Sequence, residues 1–214
     1  MVGEVVSSRC SVDCLDAIKS LLVFESEDDF YFLQILQRKK ENAELGSNSR
    51  VIKNYYIKSV QNLLDRYDEI KALCHLFNAR ASLRLNKRSF EKVGFKSLEN
   101  IANTMQHKEY KHLMNSYDRA CGLLNNEKTK KWIVDIDKEE VIWLEQIINS
   151  IQPCEPLGNK IIVQLPTKSG IHLITTPFNV MQFKENFKNE LKKYQRWEIN
   201  IDIHKDNPIN LYLP

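Results

Sequence analysis

The sequence predicts an α+β protein with a mixed or largely antiparallel sheet and helices packed on it. Three observations lead there. Strand-like and helix-like segments follow one another in irregular order, some of the strand-like ones form hairpin-like pairs, and no internal repeat or low-complexity linker divides the chain. With 214 residues, the chain is long enough for one domain or one and a half.

Within residues 1–27, Val12-Asp13 and the stretch from Ile18 to Phe24 suggest a short helix and strand. Phe30 to Gln37 is rich in aromatic and branched residues and reads as a strand. A polar loop from Arg38 through Ser49 follows, and Arg50 to Ile57 completes a hairpin with a long connection. Between Lys58 and Phe77, apolar residues at Val60, Leu63, Leu64, Tyr67, Ile70, Cys74 and Phe77 have helical spacing. Ala79 to Asn86 alternates, with Ala79, Ala81, Leu83 and Leu85 on one face and Arg80, Ser82 and Arg84 on the other. This predicts a half-buried strand with a basic outer face.

Helices are expected over Ser89 to Met105, with Ser89 as N-cap, and over Lys108 to Leu124. A charged loop, Asn125 to Lys131, leads into an apolar strand ending at Asp137. A fourth helix runs from Lys138 to Ile151, stopped by Pro153 and Pro156. Lys160 to Leu165 and Ile171 to Thr176 are strands joined by a turn. Asn179 caps a helix through Tyr194, Trp197 to His204 is a strand, and Asn210 to Leu213 closes the chain.

Charge and cysteine usage narrow the function classes. The net charge of +3 and pI near 8.5 permit nucleic-acid or nucleotide partners without demanding them, since the usual electrostatic footprint is a pI above roughly 9. Cys10, Cys14, Cys74, Cys121 and Cys154 are odd in number and lack zinc-ligand spacing, so they read as reduced thiols of a cytoplasmic protein. No apolar stretch approaches the roughly 20 residues that span a bilayer, and no secretory signal is evident; no membrane partner is expected.

Three constellations carry chemistry. The first is Trp132-Ile133-Val134-Asp135-Ile136-Asp137. Strand residues two apart share a face, so Asp135 and Asp137 project side by side while Val134 and Ile136 face the other way. Paired carboxylates repel unless a cation lies between them, and oxygen ligands suit Mg²⁺ or Mn²⁺. Nucleotidyl transfer uses such a pair, and so do glycosyltransferases with a DxD; a strand ending in a polar turn would look the same. The second is Thr167-Lys168-Ser169-Gly170-Ile171-His172. A glycine beside a serine lets backbone amides approach a phosphate, Lys168 adds a point charge and His172 can donate to a phosphate oxygen. An ordinary hairpin turn is the alternative. The third is Asn200-Ile201-Asp202-Ile203-His204, where Asp202 lies on the polar face between isoleucines. It matters if its strand neighbours the Asp135–Asp137 strand. Arg80 and Arg84 are candidates to meet phosphates.

Taken in this order, the three constellations resemble the archaeo-eukaryotic primase superfamily, in its small phage and mobile-element form. The hydrophobic-Asp-hydrophobic-Asp strand corresponds to Val134 to Asp137. The Ser-x-His element corresponds to Ser169 to His172, with one extra residue between serine and histidine. The hydrophobic-Asp strand corresponds to Ile201-Asp202, with Leu211-Tyr212-Leu213-Pro214 after it. The resemblance covers about residues 75–214.

The resemblance implies a primase-like catalytic domain over 75–214 with an RRM-like sheet. Residues 1–74 would be an N-terminal strand-hairpin and helix extension packed on it. It implies Asp135, Asp137 and Asp202 as catalytic, metal-binding residues for Mg²⁺ or Mn²⁺. Lys168, Ser169, Gly170 and His172, joined by Arg80 and Arg84, would hold the nucleotide. The expected partners are nucleoside triphosphates, a DNA template and a replication helicase or accessory subunit. The expected activity is metal-dependent nucleotidyl transfer that makes or extends short RNA or DNA strands. A metal-dependent nuclease and a catalytically silent nucleic-acid or nucleotide-binding module are the alternatives.

Overall fold

The computed structural model describes residues 11–123, 130–196 and 199–214, and shows an α+β fold of two antiparallel sheets with packed helices. Cys10, the Asn125–Lys131 loop as far as 129, Leu124, and the first two residues of the expected strand from Trp197 lie outside the described residues.

The chain opens with β1 (Val12–Asp13) and α1 (Leu15–Leu21), the latter taking most of the region expected to hold a short strand. The hairpin forms as expected from β2 (Asp29–Gln37) and β3 (Arg50–Ile57), paired antiparallel from Tyr31↔Ile57 to Gln37↔Arg50. The single helix expected over 58–77 is two, α2 (Val60–Leu64) and α3 (Tyr67–Leu76). Leu63 of the first and Ile70 and Cys74 of the second all enter one core cluster, so the apolar spacing runs across the break.

β4 (Arg80–Arg84) corrects the expectation of an exposed basic face. It lies between β2 and the last strand of the chain, and Arg80, Ala81, Ser82 and Leu83 are all buried. A half-buried pattern reads as solvent-facing only where nothing covers the polar side, and here both sides are covered.

β5 (Arg88–Ser89) leads into α4 (Phe90–Gln106), and the Ser89 hydroxyl accepts from the Lys92 amide at 3.1 Å as an N-cap. The helix expected over 108–124 shortens to α5 (Ser116–Leu123) after a single 3₁₀ turn. Then come β6 (Trp132–Asp137), α6 (Leu144–Ile151), β7 (Ile161–Pro166) and β8 (Gly170–Thr175). In α7 (Val180–Lys193) the Asn179 side chain accepts from the Met181 and Gln182 amides at 3.0 and 3.2 Å. β9 (Asp202–His204) and β10 (Pro208–Leu213) end the fold.

The first sheet has the order β1-β10-β4-β2-β3, with β5 alongside β2; the second is β7-β8-β6-β9. A boundary at 74/75 is therefore not where the architecture divides. It falls inside α3, and β4 and β10, both beyond it, are inner strands of the first sheet. The second sheet is instead a continuous stretch, Trp132 to His204, carried between strands of the first.

Side-chain period decides the layering. Val134, Ile136 and Leu173 sit in one cluster with Ile147 and Ile151 of α6 and Phe183, Phe187 and Leu191 of α7. Ile133, Leu165 and Ile174, on the opposite face, join the first sheet's cluster with Leu33, Ile35, Leu83, Ile209 and Leu211. Phe30 and Phe32, on the other face of β2, pack with Val93, Ala120 and Cys121 beneath α4 and α5. Cys14, Cys74, Cys121 and Cys154 are buried free thiols. Burial pushes the Cys14 thiol up to about 11 and those of Cys74 and Cys121 to about 12, so none is a reactive thiolate at neutral pH.

Candidate active site

β6 is the inner strand on which the site is built. Ile133 turns into the core shared by the two sheets, so Asp135 and Asp137, two and four residues on, share its face. Pairing then brings the distant residues in. Asp135 stands directly opposite His172 on β8 and directly opposite Asp202 on β9; Asp137 stands opposite Gly170. Residues directly opposite in antiparallel strands project to the same side. Asp202, Asp135 and His172 therefore form one row across three adjacent strands. His204 lies opposite Ile133, one step along the same face.

The geometry within the row is close but open. His172 Nε2 is 3.5 Å from Asp135 Oδ1, and His204 Nε2 is 4.0 Å from Asp135 Oδ2. Burial holds His172 below the ordinary imidazole value against the pull of Asp135, with the nearby His204 and Arg80 also disfavouring protonation. His172 is thus neutral at pH 7, with one ring nitrogen able to donate. Asp137 and Asp202 are exposed.

The turn after β6 brings in a further carboxylate. The Asp137 amide donates to Glu140 Oε2 at 3.2 Å, and burial together with Asp137, Asp202 and Asp135 raises the Glu140 carboxyl above its usual value.

The Ser169-Gly170 turn joins β7 to β8 where β8 meets the end of β6. A Cβ on Gly170, whose φ is +158°, would stand 2.0 Å from the Ile136 carbonyl oxygen. The close approach of β8 to β6 requires the glycine. The Ser169 amide donates to Thr167 Oγ1 at 3.3 Å and the Ser169 carbonyl accepts from the Lys138 amide at 2.7 Å. Lys168 and Ser169 of the turn border the cleft, and the Lys168 ammonium lies 3.9 Å from Glu41.

Opposite this face the first sheet supplies the other wall. A cleft of about 390 Å³ is lined by Asp135, Asp137, His172 and His204 on one side and by Arg38, Arg80, Ser82 and Asn210 on the other; Lys168 and Ser169 also border it. That volume is within the range of small-ligand sites. Arg80 pairs with Glu41 and donates to Asn210 Oδ1 at 3.4 Å. Arg84, expected beside it, is not among the cleft residues: its guanidinium donates to the Asp206 carbonyl at 2.8 Å and braces the approach to β10. Its four-residue offset from Arg80 carries it along β4 away from the cleft.

The sequence reading missed Arg38, Glu41, Glu140 and the cleft-facing position of His204. For His204 the signal was present, because it shares Asp202's face by the same period of two. Arg38 and Glu41 come from the β2–β3 connection, which alternation in strands does not describe.

The donor set suits a hard divalent cation. Carboxylate oxygens predominate, and Mg²⁺ keeps waters and takes phosphate oxygens to complete its shell, so one or two protein carboxylates suffice. Among the described residues no three Asp, Glu, His or Cys side chains already converge as a ligand set. No family model, curated protein or solved structure matches this chain. The fold and the cleft define a class nonetheless: an α+β protein of two antiparallel sheets, with carboxylates and imidazoles on one wall of the cleft between them and guanidinium groups on the other. Among the described residues no helix is long and apolar enough to cross a membrane.

Proposed function

We propose that the protein is a metal-dependent nucleotidyltransferase of the archaeo-eukaryotic primase type, with the second sheet as its RRM-like catalytic core. The observation that carries this reading is the row Asp202–Asp135–His172 across β9, β6 and β8, facing a wall that holds Arg38 and Arg80. A nucleoside triphosphate with its divalent cation presents both charges and needs both walls.

Asp135, Asp137 and Asp202 would hold Mg²⁺ or Mn²⁺. The bound cation would neutralise triphosphate charge and favour departure of pyrophosphate. Neutral His172 and the Ser169 hydroxyl donate to phosphate oxygens, and Arg80 and Lys168 set the position of the triphosphate by charge. Burial keeps His172 a neutral donor, so it would not repel a cation held by Asp135.

Incubation with labelled nucleotides, Mn²⁺ and a single-stranded DNA template tests the reading. Strand growth is expected, with loss on chelation by EDTA. Asp135→Asn should reduce it by about 100-fold or more while leaving the melting temperature near that of the native chain. Shortening of the template would assign the same carboxylates to hydrolysis. Strand growth undiminished in Asp135→Asn would overturn the site.

A further inference from the structure

We propose that Glu41 is a built-in occupant of the cleft's phosphate subsite: its carboxylate holds Arg80 and Lys168 where a phosphoryl group would sit, and a polyphosphate ligand binds by displacing it. The inference deepens the proposed function and rests on it for the ligand being a nucleoside triphosphate.

Four observations carry it. Arg80 is an unusual residue to bury. It is 9% exposed, it lines the cleft, and its Nε is buried without a hydrogen-bond partner among the described residues. A buried guanidinium missing part of its hydrogen bonding is costly, and a tetrahedral oxyanion with several acceptors would complete it. Second, the cleft's cations outnumber their local counter-ion. Glu41 pairs with Arg80 and lies 3.9 Å from Lys168, while Arg38 stands near enough to disfavour the charge on Arg80. One carboxylate on this wall serves both Arg80 and Lys168.

Third, the acid is delivered by a local device. Residues Lys39–Glu41 form a 3₁₀ turn in which the Glu41 amide donates to the Arg38 carbonyl at 3.0 Å. Arg38, at the N-cap with extended backbone, and Glu41, at the end of the turn, both line the cleft. Fourth, the loop beneath is anchored. Asn42, 3% exposed, donates to the Arg38 and Asn78 carbonyls at 3.0 and 3.1 Å and accepts from Gln37 at 3.3 Å. Displacement therefore needs only the Glu41 side chain to turn aside, with the cations staying in place. The acidic residues of the facing wall disfavour a simple carboxylate ligand; a phosphate bridged by a divalent cation suits both walls.

Calorimetric titration with inorganic tripolyphosphate and Mg²⁺ tests this on the full chain. Glu41→Gln should bind tripolyphosphate about fivefold tighter or more, because the competing state is removed. Tripolyphosphate should also raise the melting temperature of the variant more than that of the native chain. Glu41→Asp covers the case in which the glutamine variant fails to fold: the shortened acid reaches Arg80 less well, and the same gain in affinity is expected. A fixed structural ion pair predicts the reverse, weaker or unchanged binding in both variants, and that result overturns the proposal. Strand synthesis with unchanged tripolyphosphate affinity in the Glu41 variants would spare the proposed function and sink this inference. Tighter tripolyphosphate binding without strand synthesis would do the opposite.

Discussion

Single residues in this protein are set by what surrounds them more than by their type. Asp29 shows how. Burial works to raise its carboxyl, but the Lys87 ammonium at 2.8 Å and the amides of Glu25 and Ser26 at 2.7 and 3.1 Å outweigh burial and hold it below the ordinary value of 3.8. A carboxylate depressed in the folded state contributes stability above its unfolded value, and that contribution is lost as pH falls through the folded value. Stability should therefore fall as pH drops below 3.8. Urea unfolding at pH 7 and pH 3 should show a steeper loss in the native chain than in Asp29→Asn, which starts less stable because Lys87 loses its Asp29 carboxylate partner. Equal slopes would remove Asp29 from the acid response. The same dependence on surroundings separates two arginines on one strand: Arg80 borders the cleft and Arg84 braces a loop.

At the scale of elements, β6 and β8 are the pair that makes the site. The pairing runs from Trp132↔Thr175 to Asp137↔Gly170, and its tight end depends on the glycine. Gly170→Ala places a methyl group against the Ile136 carbonyl oxygen, which must move. The expected cost is about 3 kcal/mol, in the upper part of the usual range for overpacking. The displaced backbone is next to Asp137, so the proposed strand synthesis should fall as well. Chemical denaturation of Gly170→Ala with no measurable loss would show that β8 has room to shift. The Asp135–Asp137 strand was legible because its period of two has a physical consequence on both faces: Val134 and Ile136 join a helix-covered core. The neighbouring turn was legible as a turn, but its glycine answers to strand packing and its Ser169 amide is already engaged.

At the scale of the whole molecule, the chain leaves its first sheet, builds the second and returns. β10 pairs with both β1 and β4, and its Ile209 and Leu211 are buried in the cluster that also holds Ile133 and Ile174 of the second sheet. The closing strand therefore ties the two walls of the cleft together. Leu211→Ala should cost roughly 2–5 kcal/mol, the usual range for emptying a buried leucine site. Because both sheets share that cluster, near-ultraviolet circular dichroism should report both sheets unfolding in a single transition on denaturation. Loss of the first sheet alone, with the second intact, would mean that the two fold independently.

The sequence by itself determined the alternation of strands and helices, the helix caps at Ser89 and Asn179, the face shared by Asp135 and Asp137, and the polar position of Asp202. Each of these follows from residues a few positions apart, where backbone geometry and side-chain period act directly. Only the tertiary structure decided that β4 is an inner strand and that Asp202 and His172 flank Asp135. It also placed Arg38 and Glu41, from a loop, on the cationic wall. Those outcomes depend on which strands pair and which faces are covered, and such choices are made by burial across the whole chain rather than by any local pattern.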